Sequence, residues 1–455
     1  MPPAAPVEDA RLTPGRKSVY ASGDFTVNTV LASLNIVYVF YFLTEIAGLR
    51  PELAGAVQFV GRMVDAFTDP AMGRLSDQCR WKWGRRRPFF LIAAGPFGVC
   101  FSMMWMIPSG SQLVMFSYYT CWYVLLSISM TVLSVPYLAL QPEMATHYDA
   151  RTSLNTYRTV GSLFGTIAAT VTLRPVANAL GGGPEGFAMA GVAFGVLIAL
   201  PWLAVYRATW ERPDFRARSS PMSLREGIGV LARHATFRKL AALYICGRIS
   251  MDAVSAMLIV YFTHVIGRTE DFEVTMGLFF LTVIVALPIW LRVAPRFEKS
   301  TLFIIGSIWW ATSFSLLLVA QPDWPRWILL LFVPLGAIGF AMVDLMPWAM
   351  LGEVVDEDDL RTGERREGIY NGFFMFLRKI GGTVAVFLLG AALGSLGLQP
   401  GEVASDSARL TIRLLTALVP AFFLGISIWV ARGYPLTRQA HADILEQLEA
   451  RRAER

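Results

Sequence analysis

The run Gly61-Arg-Met-Val-Asp-Ala-Phe-Thr-Asp-Pro-Ala-Met-Gly73 sets Asp65 and Asp69 four residues apart, between the apolar flanks Leu53–Val60 and Ala71–Leu75. On a helix that spacing puts both carboxylates on one face, a turn apart, and Arg62 shares the face three residues earlier. The flanks suit a membrane span. A carboxylate in hydrocarbon is costly unless it is protonated, paired or bound to a cation. Two on one face read as a cation or proton site. The alternative is a structural ion pair with Arg62, but one arginine cannot neutralise two acids.

The rest of the chain extends the same reading. Apolar residues make up 55% and charged ones 16%, and the mean hydropathy is +0.49, which excludes a soluble globular protein. A hydrocarbon core about 30 Å thick takes about 20 apolar residues per helical span. Such stretches recur at 22–47, 53–75, 88–107, 113–140, 153–178, 186–207, 238–266, 273–293, 301–320, 327–352, 369–396 and 409–431. The alternation of a barrel strand is missing, so the expected class is an all-α membrane protein. The segment Met1–Lys17 is polar and proline-rich without a cleavable signal pattern, so the first span is expected to be retained.

Charge sets the expected topology. Basic residues crowd alternate loops: Arg74, Arg80, Lys82 and Arg85 to Arg87; Arg207 to Arg233; Arg292, Arg296 and Lys299; Arg361, Arg365 and Arg366. The positive-inside rule then places both termini in the cytoplasm of an inner-membrane protein. The net charge of +6 reflects that topology and needs no nucleic-acid partner. A run such as Arg85-Arg86-Arg87 is also an anchor to anionic headgroups. The four cysteines and four histidines show no metal-ligand spacing, and Cys79, Cys100, Cys121 and Cys246 are not placed for a disulfide. No nucleophile elbow, phosphate loop or metalloprotease motif is present, so an enzyme is not expected. No soluble stretch is long enough for a nucleotide-driven motor domain.

The chain echoes itself. Pro136-Tyr-Leu-Ala-Leu-Gln-Pro-Glu143, followed by Asp149, Arg151 and Thr152, parallels Pro347-Trp-Ala-Met-Leu-Gly-Glu353, followed by Asp359, Arg361 and Thr362. Tyr41-Phe-Leu-Thr-Glu-Ile-Ala-Gly48 parallels Tyr261-Phe-Thr-His-Val-Ile-Gly267. Both echoes are offset by six spans, the mark of a parallel duplication, and transporters of that design hold substrate near the bilayer midplane. The expected domains are a bundle over 1–212, a cytoplasmic connector over 213–237, a second bundle over 238–431 and a tail over 432–455. The acid pair has no counterpart in the eighth span, where Gly277–Leu291 is uncharged, which favours a functional role for it.

The stretch from Arg62 to Gly73, then Asp77 and Trp83-Gly-Arg-Arg-Arg-Pro88, with Asp356–Asp359, Arg361 to Gly368 and Lys379, resembles the glycoside–pentoside–hexuronide:cation symporters. These are the melibiose-permease-like branch of the major facilitator superfamily. The resemblance covers nearly the whole chain. It implies the major facilitator fold, with twelve transmembrane helices in two six-helix bundles. It also implies symport of a small solute with sodium or a proton, by a monomer with no cofactor beyond the coupling cation. Its cation site would map onto Asp65, Thr68, Asp69 and Thr131. Two carboxylates with neighbouring hydroxyl oxygens suit a hard cation. Thr68 replaces an asparagine of that branch, leaving sodium and proton both open. The substrate site would map onto Asp24, Arg158, Ser134 and Lys379. Ser134 stands in place of a sugar-binding aspartate, and Leu138 in place of the tryptophan that stacks on the sugar. The wider family includes lysolipid transporters, so an amphiphile is the alternative cargo.

The remaining intramembrane polar groups fit this scheme. Asp24, Asn28 and Asn35 line one face of the first span; Ser127, Thr131, Ser134 and Gln141 the fourth; Asn155, Arg158, Ser162 and Thr166 the fifth. Hydroxyl stripes serve helix packing, whereas buried full charges are usually functional, and Asp24 and Arg158 are expected to pair with each other. Arg248 and Asp252 are spaced to neutralise one another, and Lys379 is the expected partner of Asp344. A cytoplasmic gate is expected from Asp77, Arg85, Arg86, Arg87, Glu353 and Arg361, with charges of one half meeting those of the other. A non-transporting sensor would not need the intact acid pair.

Overall fold

The computed structural model describes residues 12–79, 81–145, 148–211, 224–363, 366–395 and 405–453. The side chains of Asp77, Arg151 and Thr152 and the connector residues 212–223 fall outside the described set. Twelve long helices stand where the twelve spans were expected. They are α1 (Pro14–Ala32, continued as a π-helix over Ser33–Ile46), α2 (Pro51–Gln78), α3 (Pro88–Met104) and α4 (Gln112–Met144). Next come α5 (Tyr148–Ile167, continued through Ala168–Thr172 and Leu173–Ala179) and α6 (Gly183–Ala208). The second set is α7 (Ala235–Tyr261, ending in a π turn at Phe262–Ile266), α8 (Asp271–Val293), α9 (Lys299–Ser315), α10 (Arg326–Thr362), α11 (Glu367–Ser395) and α12 (Asp406–Arg432). Short helices at Leu224–Arg233 and Arg438–Ala453 lie before α7 and after α12. The first of these occupies part of the expected connector.

Local signals explain the boundaries. Pro14, Pro51 and Pro88 open their helices at the first position, where a missing N–H is harmless. Thr13, Ser111 and Ser405 accept the N–H three residues on. Among the described residues, nine helices are long and apolar enough to cross a membrane. A shorter apolar helix is α3.

The chain forms two compact units, Met1–Ser219 with Gly390–Glu402, and Ser220–Leu389 with Val403–Arg455. In the first, α1 packs on α5 and α6, α2 on α4, and α3 on α4 and α6. In the second, α7 packs on α12 and α10, α8 on α10, and α9 on α10 and α12. These pairings recur with every helix number raised by six. The counterpart of α1 on α5 is α7 on α11, where a Cβ on Gly381 would stand 3.3 Å from Ile245 and Phe374 stacks on Tyr244 at 3.8 Å. Both first helices end in a π segment and then a left-handed glycine, Gly48 at φ 75° and Gly267 at φ 72°.

Candidate functional site

The first charged cluster is built by α1, α4 and α5. Gly161 and Gly165 let α5 lie directly on α1: a Cβ on either would stand 2.4 Å and 2.2 Å from the carbonyls of Ala21 and Phe25. That approach sets Arg158, one turn before Gly161, opposite Asp24. The pair is bidentate, with Nε donating to Asp24 Oδ2 at 2.7 Å and Nη2 to Oδ1 at 3.0 Å. Arg158 Nη1 donates to Gln141 Oε1, and Gln141 Nε2 donates to Asn155. The Tyr137 hydroxyl lies 2.5 Å from Asp24 Oδ2, and the guanidinium sits over the Tyr137 ring at 5.5 Å. Tyr137 in turn stacks on Tyr20 with centroids 4.3 Å apart. Asn28 donates to Ser162 at 3.0 Å across the same seam. The expected pairing of Asp24 with Arg158 is present, within a polar network that occupies both charges.

The acid pair lies on α2 against α4. Asp65 is fully buried. Thr131 of α4 donates to Asp69 Oδ1 at 2.7 Å, and the Thr68 and Thr131 hydroxyl oxygens are 3.5 Å apart. Asp69, Thr68 and Thr131 are thus gathered in one place, with Asp65 a turn away on the same helix. The close approach of α2 to α4 needs Gly61, whose Cβ would fall 1.9 Å from the Tyr123 ring. Arg62 donates to Asn35 Oδ1 at 2.7 Å, and Gln58 to the same oxygen at 2.9 Å, which ties α2 to α1. Ser134, one turn beyond Thr131, makes no hydrogen bond to a described residue. Leu138, expected where an aromatic would stack, is 44% exposed.

The arginine run meets acids and a carbonyl of its own unit. Backbone N–H groups of Arg85, Arg86 and Arg87 all donate to the Glu211 carboxylate, at 2.7, 2.8 and 2.9 Å. Three donors at the start of α3 converge on one anion, as the positive end of a helix favours. The Arg85 and Arg86 side chains meet Glu143 at 2.6 and 2.5 Å. Arg87 donates to the Tyr206 carbonyl at 2.7 Å and lies over its ring. In the second unit Lys299 meets Glu353 at 2.7 Å, and Arg361 lies 3.7 Å from Glu357. His441 of the last helix reaches Asp356 at 3.1 Å.

A second charged cluster lies on α7 and α10. Arg248 pairs with Asp252 on its own helix, at 2.5 and 3.2 Å. Asp344 lies 3.7 Å from Arg248 Nη1, so its partner is Arg248 and not the expected Lys379. Lys379, half-buried on α11, belongs to this unit and not to that of Asp24 and Arg158.

Some participants were missed in the sequence. Gln141 was read as part of a hydroxyl-type stripe, yet it completes the Arg158 network. Tyr137 was passed over for its neighbour Leu138, although a tyrosine inside an apolar span was a usable signal, because its hydroxyl needs a partner when buried. Glu211 carried no local signal at all.

A family described as "MFS/sugar transport protein" matches residues 19–438. The inner membrane symporter YicJ of Escherichia coli (strain K12) is 27% identical, over 94% of this chain and 93% of that protein. The sodium-dependent lysophosphatidylcholine symporter 1-A of Danio rerio is 25% identical, over 90% of this chain and 83% of its own length. Among solved structures, that of a D-xylose-proton symporter superposes with a TM-score of 0.64 at 15% identity, covering 94% of this chain and 97% of that one.

Proposed function

The chain belongs to the MFS/sugar transport protein family, and on that footing we propose that it is a cation-coupled symporter of a small polyhydroxylated solute such as a glycoside. It is a membrane transporter and not an enzyme. The observation that carries the reading is the pairing of two constellations in one unit. Asp69, Thr68 and Thr131, with the buried Asp65, offer carboxylate and hydroxyl oxygens to sodium or a proton. The Asp24–Arg158–Gln141–Tyr137 network offers donors and acceptors to hydroxyl groups. The groups of that network satisfy one another, and a bound solute exchanges those bonds for its own. Ser134 is assigned to the same solute site.

The arginines of the loop after α2, with Asp77, Glu353 and Arg361, are assigned to cytoplasmic closure. Arg85 and Arg86 act there by exchanging Glu143 for another acid. The positive-inside pattern supports cytoplasmic termini, and the protein is taken to work as a monomer.

The test is a thermal-shift series on purified protein with glycosides, in sodium against potassium and over a range of pH. Asp65→Asn and Asp69→Asn are expected to abolish cation-stimulated binding while leaving the fold intact, since each removes charge without volume. Full cation stimulation in both variants would sink the assignment. A lysolipid is the second reading, favoured by the exposed Leu138 and by the cargo named for the Danio rerio relative. It predicts a shift with lysophosphatidylcholine and none with glycosides.

A further inference from the structure

The cluster on α7 and α10 has a chemistry of its own. Arg248 is nearly buried, its side chain 14% exposed, and Asp252 occupies its Nε and Nη2. Its Nη1 has only the Met251 sulfur at 3.5 Å and Asp344 at 3.7 Å, and no oxygen of a described residue within hydrogen-bond distance. Two strong donors on that nitrogen are therefore underused. Asp344 has no hydrogen bond to a described residue, and 47% of its side chain is exposed.

Position makes this unusual. Asp344 is the midpoint of the 37-residue α10, and Arg248 and Asp252 flank the middle of the 32-residue α7 with its π extension. A half-exposed carboxylate at that depth does not face lipid. It faces the interior of a bundle or a water-filled cavity. Trp348, one turn along α10 from Asp344, is half-buried on the same face. Its indole is fixed edge-on by Tyr244 and Phe374, at 5.9 and 5.0 Å.

We propose that Arg248 Nη1 and Asp344, with the Trp348 ring beside them, form a second solute-binding subsite that reads a diol. One hydroxyl oxygen accepts from Nη1, and a neighbouring hydroxyl donates to the Asp344 carboxylate. The gap of 3.7 Å between Nη1 and the carboxylate is too wide for a hydrogen bond, and it sets the donor and the acceptor side by side, where the two neighbouring oxygens of a diol can each meet one of them. An aromatic face beside a donor–acceptor pair is what a sugar ring needs, and Leu138 does not supply that face in the other unit. Arg248 is held by Asp252, so the subsite is arranged before the solute arrives. This inference rests on the proposed glycoside reading.

The experiment measures binding of methyl glycosides, and of their single-deoxy analogues, to the purified full-length protein in sodium. Asp344→Asn is expected to weaken the best methyl glycoside by about tenfold or more, as loss of a charged hydrogen-bond acceptor does. The same variant should bind one particular deoxy analogue as the wild type does, because the hydroxyl that met Asp344 is already gone. Trp348→Ala should weaken all the glycosides. Unaltered affinity of Asp344→Asn for the parent glycoside overturns the subsite while leaving the sodium-stimulated wild-type binding, and so the proposed function, in place. Loss of pH dependence with sugar affinity unchanged would make Asp344 a proton carrier and also overturns it. Absence of any glycoside binding by the wild type overturns both readings together.

Discussion

The two units treat an intramembrane arginine in opposite ways. In the first, Arg158 crosses from α5 to α1 and all three of its nitrogens meet side-chain oxygens of Asp24 or Gln141. In the second, Arg248 takes its carboxylate from its own helix and leaves Nη1 short of a good acceptor. A crossing pair fastens two helices together, whereas a pair within one helix fastens none. The same duplicated scaffold thus holds one charge as a fastener and the other as an open hand.

The comparison breaks or sharpens at definite positions. The largest effect is expected at the crossing pair. Arg158→Gln strands Asp24 in a buried seam and should cost about 3–5 kcal/mol of stability, read as a lowered heat-denaturation midpoint in detergent. Asp252→Ala should cost less, about 1–2 kcal/mol, because Asp344 is near enough to move onto Arg248. If the two losses are equal, Asp344 is no reserve partner and the contrast between the units disappears.

A smaller effect is expected at the acid pair, which the second unit lacks. Thr131→Val removes the hydroxyl that donates to Asp69 and should weaken cation affinity about three- to tenfold. Cation titrations monitored by thermal shift, without solute, would show it. Unchanged affinity would confine Thr131 to helix packing.

The smallest effect separates the starts of the two first helices. Thr13 caps α1 with a hydroxyl, whereas His234 caps α7 by accepting the Phe237 N–H at its Nδ1. Burial pushes the His234 imidazole below its ordinary value, against the pull of Glu357 and Asp358. The unfolded chain then binds a proton that the folded chain refuses. Stability from this group is complete above about pH 6.5 and declines as pH falls through that value and below. His234→Asn keeps a capping oxygen and should flatten the pH slope of the denaturation midpoint between about pH 7 and 5. An unchanged slope would move the titration elsewhere.

What could be read from the chain follows from what is local. The twelve spans, the acid pair on one face and the duplication all rest on spacing along a helix, and spacing survives folding. The Asp24–Arg158 pair was legible because two buried charges with few neighbours have few choices. Partner selection elsewhere was not legible. Asp344 meets Arg248 rather than Lys379 because of how α10 is rotated against α7, and no periodicity in either helix encodes that rotation. Glu211 holds three backbone groups 124 to 126 positions earlier, and an acid at the end of an apolar helix looks like any other solvated charge.

The π segments that close α1 and α7 bear on how the halves diverged. Seven steps separate Tyr41 from Gly48, and six separate Tyr261 from Gly267. A π turn holds one residue more than an α turn, so a helix can absorb an inserted residue by widening instead of rotating everything beyond it. The longer π stretch, Ser33–Ile46 against Phe262–Ile266, sits in the half with the extra residue. The first helix therefore has slack of one residue stored near its end. A single deletion there can be taken up by tightening to α geometry while the glycine corner and the Asp24 face keep their places.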